Sequence, residues 1–303
     1  MLLPRRLCRI KYSIVSGMSF LFLPSMLLAS QFSSLFETTL TTDHQYLNKL
    51  YTEHSVQDAT AINRAKFFPT IGAYGSYTKA SQMPLSLSYG LTISQSIINF
   101  NNIFNQASAD ENKRAAFYNM LSAWQDLAAR FSSAYFSMGA QQAGLLLDQQ
   151  SLKLDNKITA ITTFRYHAGQ ITHADMDTAK LNALSDQAQV IADQAKMVQA
   201  KTALTLITAQ EATTVPALSV HFKLVAPKPN QYSQWQQLAL HQNPLLRADW
   251  FHTQSLHSAL SAINSTYLPT VDANLNYANG QYDASGHNVH NSSWTGALNL
   301  NMP

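Results

Sequence analysis

His287 and His290 stand three apart with Asp283 close by, and His252 and His257 stand five apart on a helical stretch. The first spacing can suit a metal ion, yet the surrounding SGHNVHNSS offers no cysteine and no acid other than Asp283, so a resident metal is not expected. No glycine-rich phosphate loop, nucleophile elbow or paired-carboxylate arrangement is present in the sequence. Catalytic residues and cofactors are therefore not expected either. His167 and His173 flank a short loop, where a pH-dependent charge could tune a contact, although solvated loop histidines are commonplace.

The elements that carry these residues are organised by a duplication. A shift of 200 positions lays Leu40 on Leu240, Ser55 on Ser255, Ala59 on Ala259, Pro69 on Pro269, Thr70 on Thr270, Ala73 on Ala273 and Tyr77 on Tyr277, without a gap. A unit of that size is a duplicated half-molecule rather than one link of a solenoid. The expected organisation is a leader at 1–30 and a first structural repeat at 31–210 with a β-hairpin over 67–98. A linker or equatorial segment at 211–234 and a second repeat at 235–303, with a hairpin over 267–303, complete it.

Charged residues make up 12% of the chain, about half the usual share, which does not suit a nucleic-acid binder. Arg5, Arg6, Arg9 and Lys11 precede an apolar run from Ile14 to Leu28 that ends in Ala29 and Ser30, the layout of a secretory signal. Without those four, 16 of the 20 Lys and Arg face 17 Asp and Glu, so the mature chain is near neutral. The only cysteine, Cys8, lies before the apolar run. Disulfides are therefore not expected in the mature chain. No later stretch rivals a membrane-spanning helix, so any membrane crossing must use strands.

Strand-like alternation appears in both copies. One parity reads Ile71, Ala73, Gly75, Tyr77 and its counterpart Val271, Ala273, Leu275, Tyr277, against Asp272, Asn274 and Asn276 on the other side. Each copy continues into a second strand, LSLSYGLTISQS and SWTGALNLNMP, the latter carrying Leu298 and Leu300. Strands of about ten residues with one apolar and one polar face are those of a membrane β-barrel. Four strands cannot close such a barrel, so an inserted chain must oligomerise.

The remainder reads as helix. Phe117, Leu121, Trp124, Ala128, Phe131, Tyr135 and Met138 recur at alternating three- and four-residue steps that continue through polar Gln142 to Leu145, as do Leu181, Leu184, Ala188, Ile191, Ala195 and Val198. These predict two coiled-coil seams, folded back at Gly169 into an antiparallel pair. Interruptions of the first helix are expected at Gly139, Gly144 and near Gln149.

The order of signal, amphipathic helix, FFPTIGAYGSY, loop, LTISQSI, long helix, RYHAGQITHADMDTAKLNAL, returning helix, HQNPLLRAD, YLPTVDANLNY and WTGALNLNMP resembles the TolC family of outer-membrane efflux and secretion channels. The resemblance implies an α+β membrane protein: long antiparallel coiled-coil helices forming a periplasmic α-barrel, and β-hairpins contributing to a trimeric twelve-stranded outer-membrane β-barrel. It implies passive export of drugs, toxins or proteins as part of a tripartite efflux pump or type I secretion system. The partners implied are a homotrimer, a periplasmic adaptor (membrane fusion) protein, an inner-membrane pump and outer-membrane lipid, with no nucleic acid. By the same resemblance Ala174 and Asp175 stand at the periplasmic aperture, although a helix N-terminal acid also favours the dipole there. Arg165, Gly169, Gln170 and Ile171 stand at the adaptor-docking tip. Ile71, Ala73, Tyr77, Val271, Leu275, Tyr277, Leu298 and Leu300 are expected to face lipid.

The sequence departs from the family by stopping at Pro303, where a complete member runs into a second helical hairpin. The chain is therefore expected to be a fragment, a truncated gene product or part of a split gene, and by itself to form no stable conducting trimer. Two other classes compete: a trimeric coiled-coil adhesin, which would carry its strands in one C-terminal block, and a soluble periplasmic helical protein.

Overall fold

A computed structural model of the chain describes residues 23–79, 86–211, 214–216, 225–284 and 287–303. The expected leader lies outside the described residues as far as residue 22, and much of the expected linker lies outside them too. Ten longer elements follow in chain order: α1 (Leu23–Thr42), α2 (His44–Ala65), β1 (Thr70–Thr78), β2 (Ser86–Ile98), α3 (Phe100–His167), α4 (His173–Thr208), α5 (Tyr232–Gln242), α6 (Pro244–Asn264), β3 (Thr270–Ala284) and β4 (His287–Asn301).

Helix α3 is the spine. Asn99 starts it by accepting a hydrogen bond from the Asn102 amide at 3.1 Å, and its 68 residues rise about 100 Å at about 1.5 Å each. α2 packs on its first half, with the Thr60 hydroxyl on the Ala109 carbonyl and Arg64 paired to Asp110 at 3.1 Å. α6 packs beside it, where Ser255 donates to the Ser108 carbonyl at 2.9 Å and Asn101 to the Ala262 carbonyl at 2.7 Å. α4 returns along the second half, where Thr159 donates to the Ala179 carbonyl at 3.0 Å. Where α1, α3 and α4 meet, Phe131, Tyr135, Met138, Leu204 and Val215 are buried under Phe32, Leu35 and Phe36.

The expected interruptions of α3 do not occur. Gly139 stays helical within the continuous α3, and its missing side chain makes room for Val215, whose Cγ1 lies 3.3 Å from where a Cβ would stand; the 214–216 segment is further tied down by Gln142 Oε1, which accepts from the Val215 amide at 3.1 Å. The glycine serves close approach rather than a break.

The seams are corrected in part. On α3, Phe131, Tyr135 and Met138 are buried, but Leu127 joins them while Trp124 stays open. On α4, Leu181, Leu184, Ile191 and Val198 point outward, each at least 60% exposed, and Met176, Ala179, Ala183, Val190 and Leu204 face α3 instead. Small residues at Ala179 and Ala183 let the two helices approach closely, so the bulky stripe is left on the outer side.

The four strands form one antiparallel sheet in the order β1-β2-β3-β4. The two hairpins, some 200 positions apart in sequence, therefore join edge to edge through β2 and β3. β4 begins at His287, six residues before the expected Ser293. His290 therefore lies within β4, paired with Gln281.

Candidate functional site

Strand register sorts the sheet into two unlike faces. Ile71, Ile93 and Leu275 fall in one row, and Ala73, Leu91, Tyr277 and Trp294 in another. Val271 pairs with Leu300 and Ala273 with Leu298 on the same side. All eight residues expected to face lipid thus share one face, and Ile71, Tyr77, Leu298 and Leu300 are openly exposed. Tyr277 and Trp294 pack with ring centroids 4.8 Å apart at one end of the band. From Val271 to Tyr277 the band runs about 20 Å along the strand at about 3.3 Å per residue.

On the opposite face the rows from Thr70 to Ser76 are small and polar apart from Tyr74. Thr70, Ser94 and Asn274 form one row and Gly72, Thr92, Asn276 and Thr295 the next, with Ser76 and Ser88 sharing a hydrogen bond at 2.9 Å farther along. A sheet with one dry and one wet face, and exposed apolar side chains on the dry one, fits a wall between hydrocarbon and water.

The far end of the α3–α4 pair is the second candidate region. Gly169 adopts φ +71°, which ends α3 at small steric cost; its amide bonds the Tyr166 carbonyl and the Gln170 amide the Arg165 carbonyl, both at 2.9 Å. This pair of bonds is a Schellman ending. Thr172 then caps α4 reciprocally: its hydroxyl accepts from the Asp175 amide at 3.2 Å, and the Asp175 carboxylate accepts from the Thr172 amide at 3.0 Å and its hydroxyl at 2.7 Å. The Thr172 hydroxyl and then its amide hold the Asp175 carboxyl below the usual carboxylate range. Gly169, Gln170, Ala174, Asp175 and Arg165 are exposed and Ile171 is half-buried. The turn brings all of these expected residues together at one end.

The sequence reading missed Thr172, although Thr-x-x-Asp ahead of a periodic run is a capping signature. It also missed His173 Nδ1, 2.8 Å from Asp177 Oδ2, and the edge of Tyr166 against the His173 ring at 5.4 Å. Among the described residues no group of three His, Cys, Asp or Glu is placed to hold a metal, and no helix is long and apolar enough to cross a membrane.

Residues 52–210 match a family model described as outer membrane efflux protein. No curated protein matches the chain significantly. Solved structures do resemble it: CusC, described as a transmembrane channel, at 15% identity and TM-score 0.78, with 90% of this chain on 66% of that one. The Campylobacter jejuni CmeC outer membrane channel aligns at 13% identity and TM-score 0.73, covering 90% and 61%. The Vibrio cholerae outer membrane protein VceC aligns at 16% identity and TM-score 0.74, covering 90% and 68%. The chain thus spans about two thirds of the length of these channels. At such identities the likeness is one of fold.

Proposed function

Since the chain belongs to the outer membrane efflux protein family, we propose that it is a protomer of a trimeric outer-membrane conduit for passive export. Three copies of a four-stranded sheet supply twelve strands, enough to close a barrel whose dry face meets lipid and whose wet face lines the pore. The helices then form the periplasmic stem. The observation that carries this reading is the segregation of the sheet into an exposed apolar face and a polar one. An apolar patch of that kind on a water-soluble protein would be an aggregation hazard. In this reading the chain conducts and does not catalyse.

At the other end, the tip around Gly169 to Asp175 is where an adaptor joined to an inner-membrane pump would dock and where the tube would close. Asp175 is suited to the closed aperture because it stays ionised. Three such carboxylates gathered by threefold symmetry in a narrow opening would favour cations. The exported solutes would be drugs, toxins or proteins handed over by the pump.

The expectation of no stable conducting trimer concerns residues 1–303 by themselves; the test uses the protein as its gene produces it, extracted from outer membranes and placed in planar bilayers. A heat-modifiable trimer with discrete current steps is the expected result. Release of the protein with the osmotic-shock fluid, and no current, would sink the reading in favour of a soluble periplasmic protein.

A further inference from the structure

On the polar face of the sheet, Tyr74, Gly90, Ala278 and Ser293 lie in one row across all four strands. The row is small everywhere except at Tyr74. A side chain on Gly90 would begin 2.6 Å from Tyr74 Oη and 2.7 Å from Cζ, so the tyrosine ring does not stand up from β1 but leans across β2 toward β3. Gly90 itself is buried beneath it. The rows on either side, Gly72 with Thr92 and Ser76 with Ser88, are too short to overtop the ring, and Tyr74 keeps 47% of its surface open.

The result is an aromatic ring held low against the wall, one end seated over glycine and the rest open to the polar side. A ring fixed in this way loses little freedom when something flat lies against it, and its π-face attracts cations and other aromatic rings.

We infer that Tyr74 is a specificity-determining residue of the conduit, a stacking platform that retards planar aromatic, preferably cationic, solutes on their way through the pore. The inference rests on the export reading above, which places this face in the lumen. Three protomers set three such rings at one height. They line the lumen without closing it, so small ions pass unhindered while a flat aromatic cation pauses on the wall. A residue that merely covered Gly90 could be any large apolar side chain, and that difference separates the two roles.

The protein as its gene produces it is reconstituted in planar bilayers, and the dwell time of proflavine, a planar aromatic cation, is compared with that of tetrapropylammonium, which has the same charge and no ring. Tyr74→Leu covers Gly90 without a ring and is expected to shorten proflavine dwell about two- to fivefold. Tyr74→Phe preserves it and Tyr74→Trp lengthens it, and tetrapropylammonium responds to none of the three. Unchanged proflavine dwell in the Leu variant overturns the inference, as does an equal change for both cations, which would indicate pore width alone. Should the Leu variant not assemble, failure of the Trp variant to lengthen dwell overturns it equally. If the unaltered protein carries no current at all, the export reading itself is lost, an outcome distinct from a conducting pore indifferent to Tyr74.

Discussion

Arg130 reaches from α3 to hold both carboxylate oxygens of Asp43, at 3.0 and 3.1 Å. Asp43 is also the N-cap of α2, accepting from the Tyr46 amide at 2.8 Å, and it is only 7% exposed. One side chain therefore fixes the junction of α1 and α2 and ties it to the spine. Burial pushes the Asp43 carboxyl up, but the Arg130 hydrogen bonds, the Tyr46 amide and the Arg130 charge outweigh it and hold the group below its ordinary 3.8. A depressed carboxylate contributes stability that is complete above the ordinary value and lost as pH falls through the lowered one. Arg130→Met strands the buried carboxylate and is expected to cost about 3 kcal/mol at neutral pH. Asp43→Asn, which keeps a cap acceptor, costs less. Denaturant melts at pH 7 and pH 3 check both statements, and the gap between Arg130→Met and the unaltered protein should narrow at the lower pH.

At the tip, the Thr172–Asp175 exchange predicts where the returning helix frays. Thr172→Val removes the hydroxyl from both sides of the cap, so hydrogen exchange at the Asp175 and Met176 amides should accelerate while the middle of α4 is unmoved. The carboxylate half of the same cap in the unaltered protein is complete above the ordinary carboxylate value and is lost as pH falls through the lowered Asp175 value. Equal exchange in the variant and the unaltered protein would show that the turn is held from elsewhere.

The hairpins and the tip were legible because their signals are local. Alternation at Val271, Ala273 and Leu275 sets a strand whatever lies beside it, and Gly169 breaks a helix at low cost to itself. The outer stripe of α4 was misread because Leu181, Leu184 and Ile191 announce a seam but not which neighbour fills it. Ala179 and Ala183, which actually meet α3, are silent in a hydrophobicity pattern. Gly139 misled for the opposite reason: a glycine in a helix reads as weakness until Val215 is seen against it, and Val215 lies 76 positions away in sequence. Tyr74 over Gly90 is likewise a cross-strand fact, invisible without register. The functional expectations followed the order of motifs, which survives even where individual packing choices do not.

Gly90 sits where the first hairpin joins the second, and its Cβ position lies 2.2 Å from the Tyr277 backbone oxygen. A backbone atom cannot step aside as a side chain can. Gly90→Ala is therefore expected to open the β2–β3 pairing at a cost of about 1–3 kcal/mol, seen as lower recovery of heat-modifiable oligomer from membranes. Gly75, one strand away, has nothing within 4 Å of its Cβ position, and Gly75→Ala serves as the neutral control.

The two faces should respond oppositely to charge. Leu298, 77% exposed on the apolar side, becomes a buried cation in hydrocarbon when changed to Arg, at a cost of about 2–4 kcal/mol near the midplane. Thr92, which lies on the polar side, should accept Arg with normal insertion and shift ion selectivity toward anions. Normal insertion of Leu298→Arg together with failure of Thr92→Arg would invert the faces and with them the barrel assignment.

Midway along the helical pair, the Asp193 carboxyl on α4 faces Asp148 on α3 and, as the partner for a proton, raises the Asp148 carboxyl above its ordinary range. Burial and the nearby charges of Asp193 and Asp186 add to the rise, which Lys196 opposes. Asp193 moves the other way, to about 2, through Asp148 first, then Lys196 at 2.7 Å and Gln189 at 3.1 Å. Asp186, which has one carboxylate oxygen buried without a partner, adds a third acid to the same seam. A shared proton holds such a pair together, and its loss leaves like charges facing one another. The Asp148 contribution is fully present below the ordinary carboxylate value and disappears as pH rises through the raised one, whereas that of Asp193 is lost only toward pH 2. The helical pair should therefore be tighter at pH 4 than at pH 7. In Asp148→Asn an amide donor replaces the proton permanently, so the difference in thermal midpoint between the two pH values should shrink. A difference that persists undiminished in the variant would place the pH dependence on other groups.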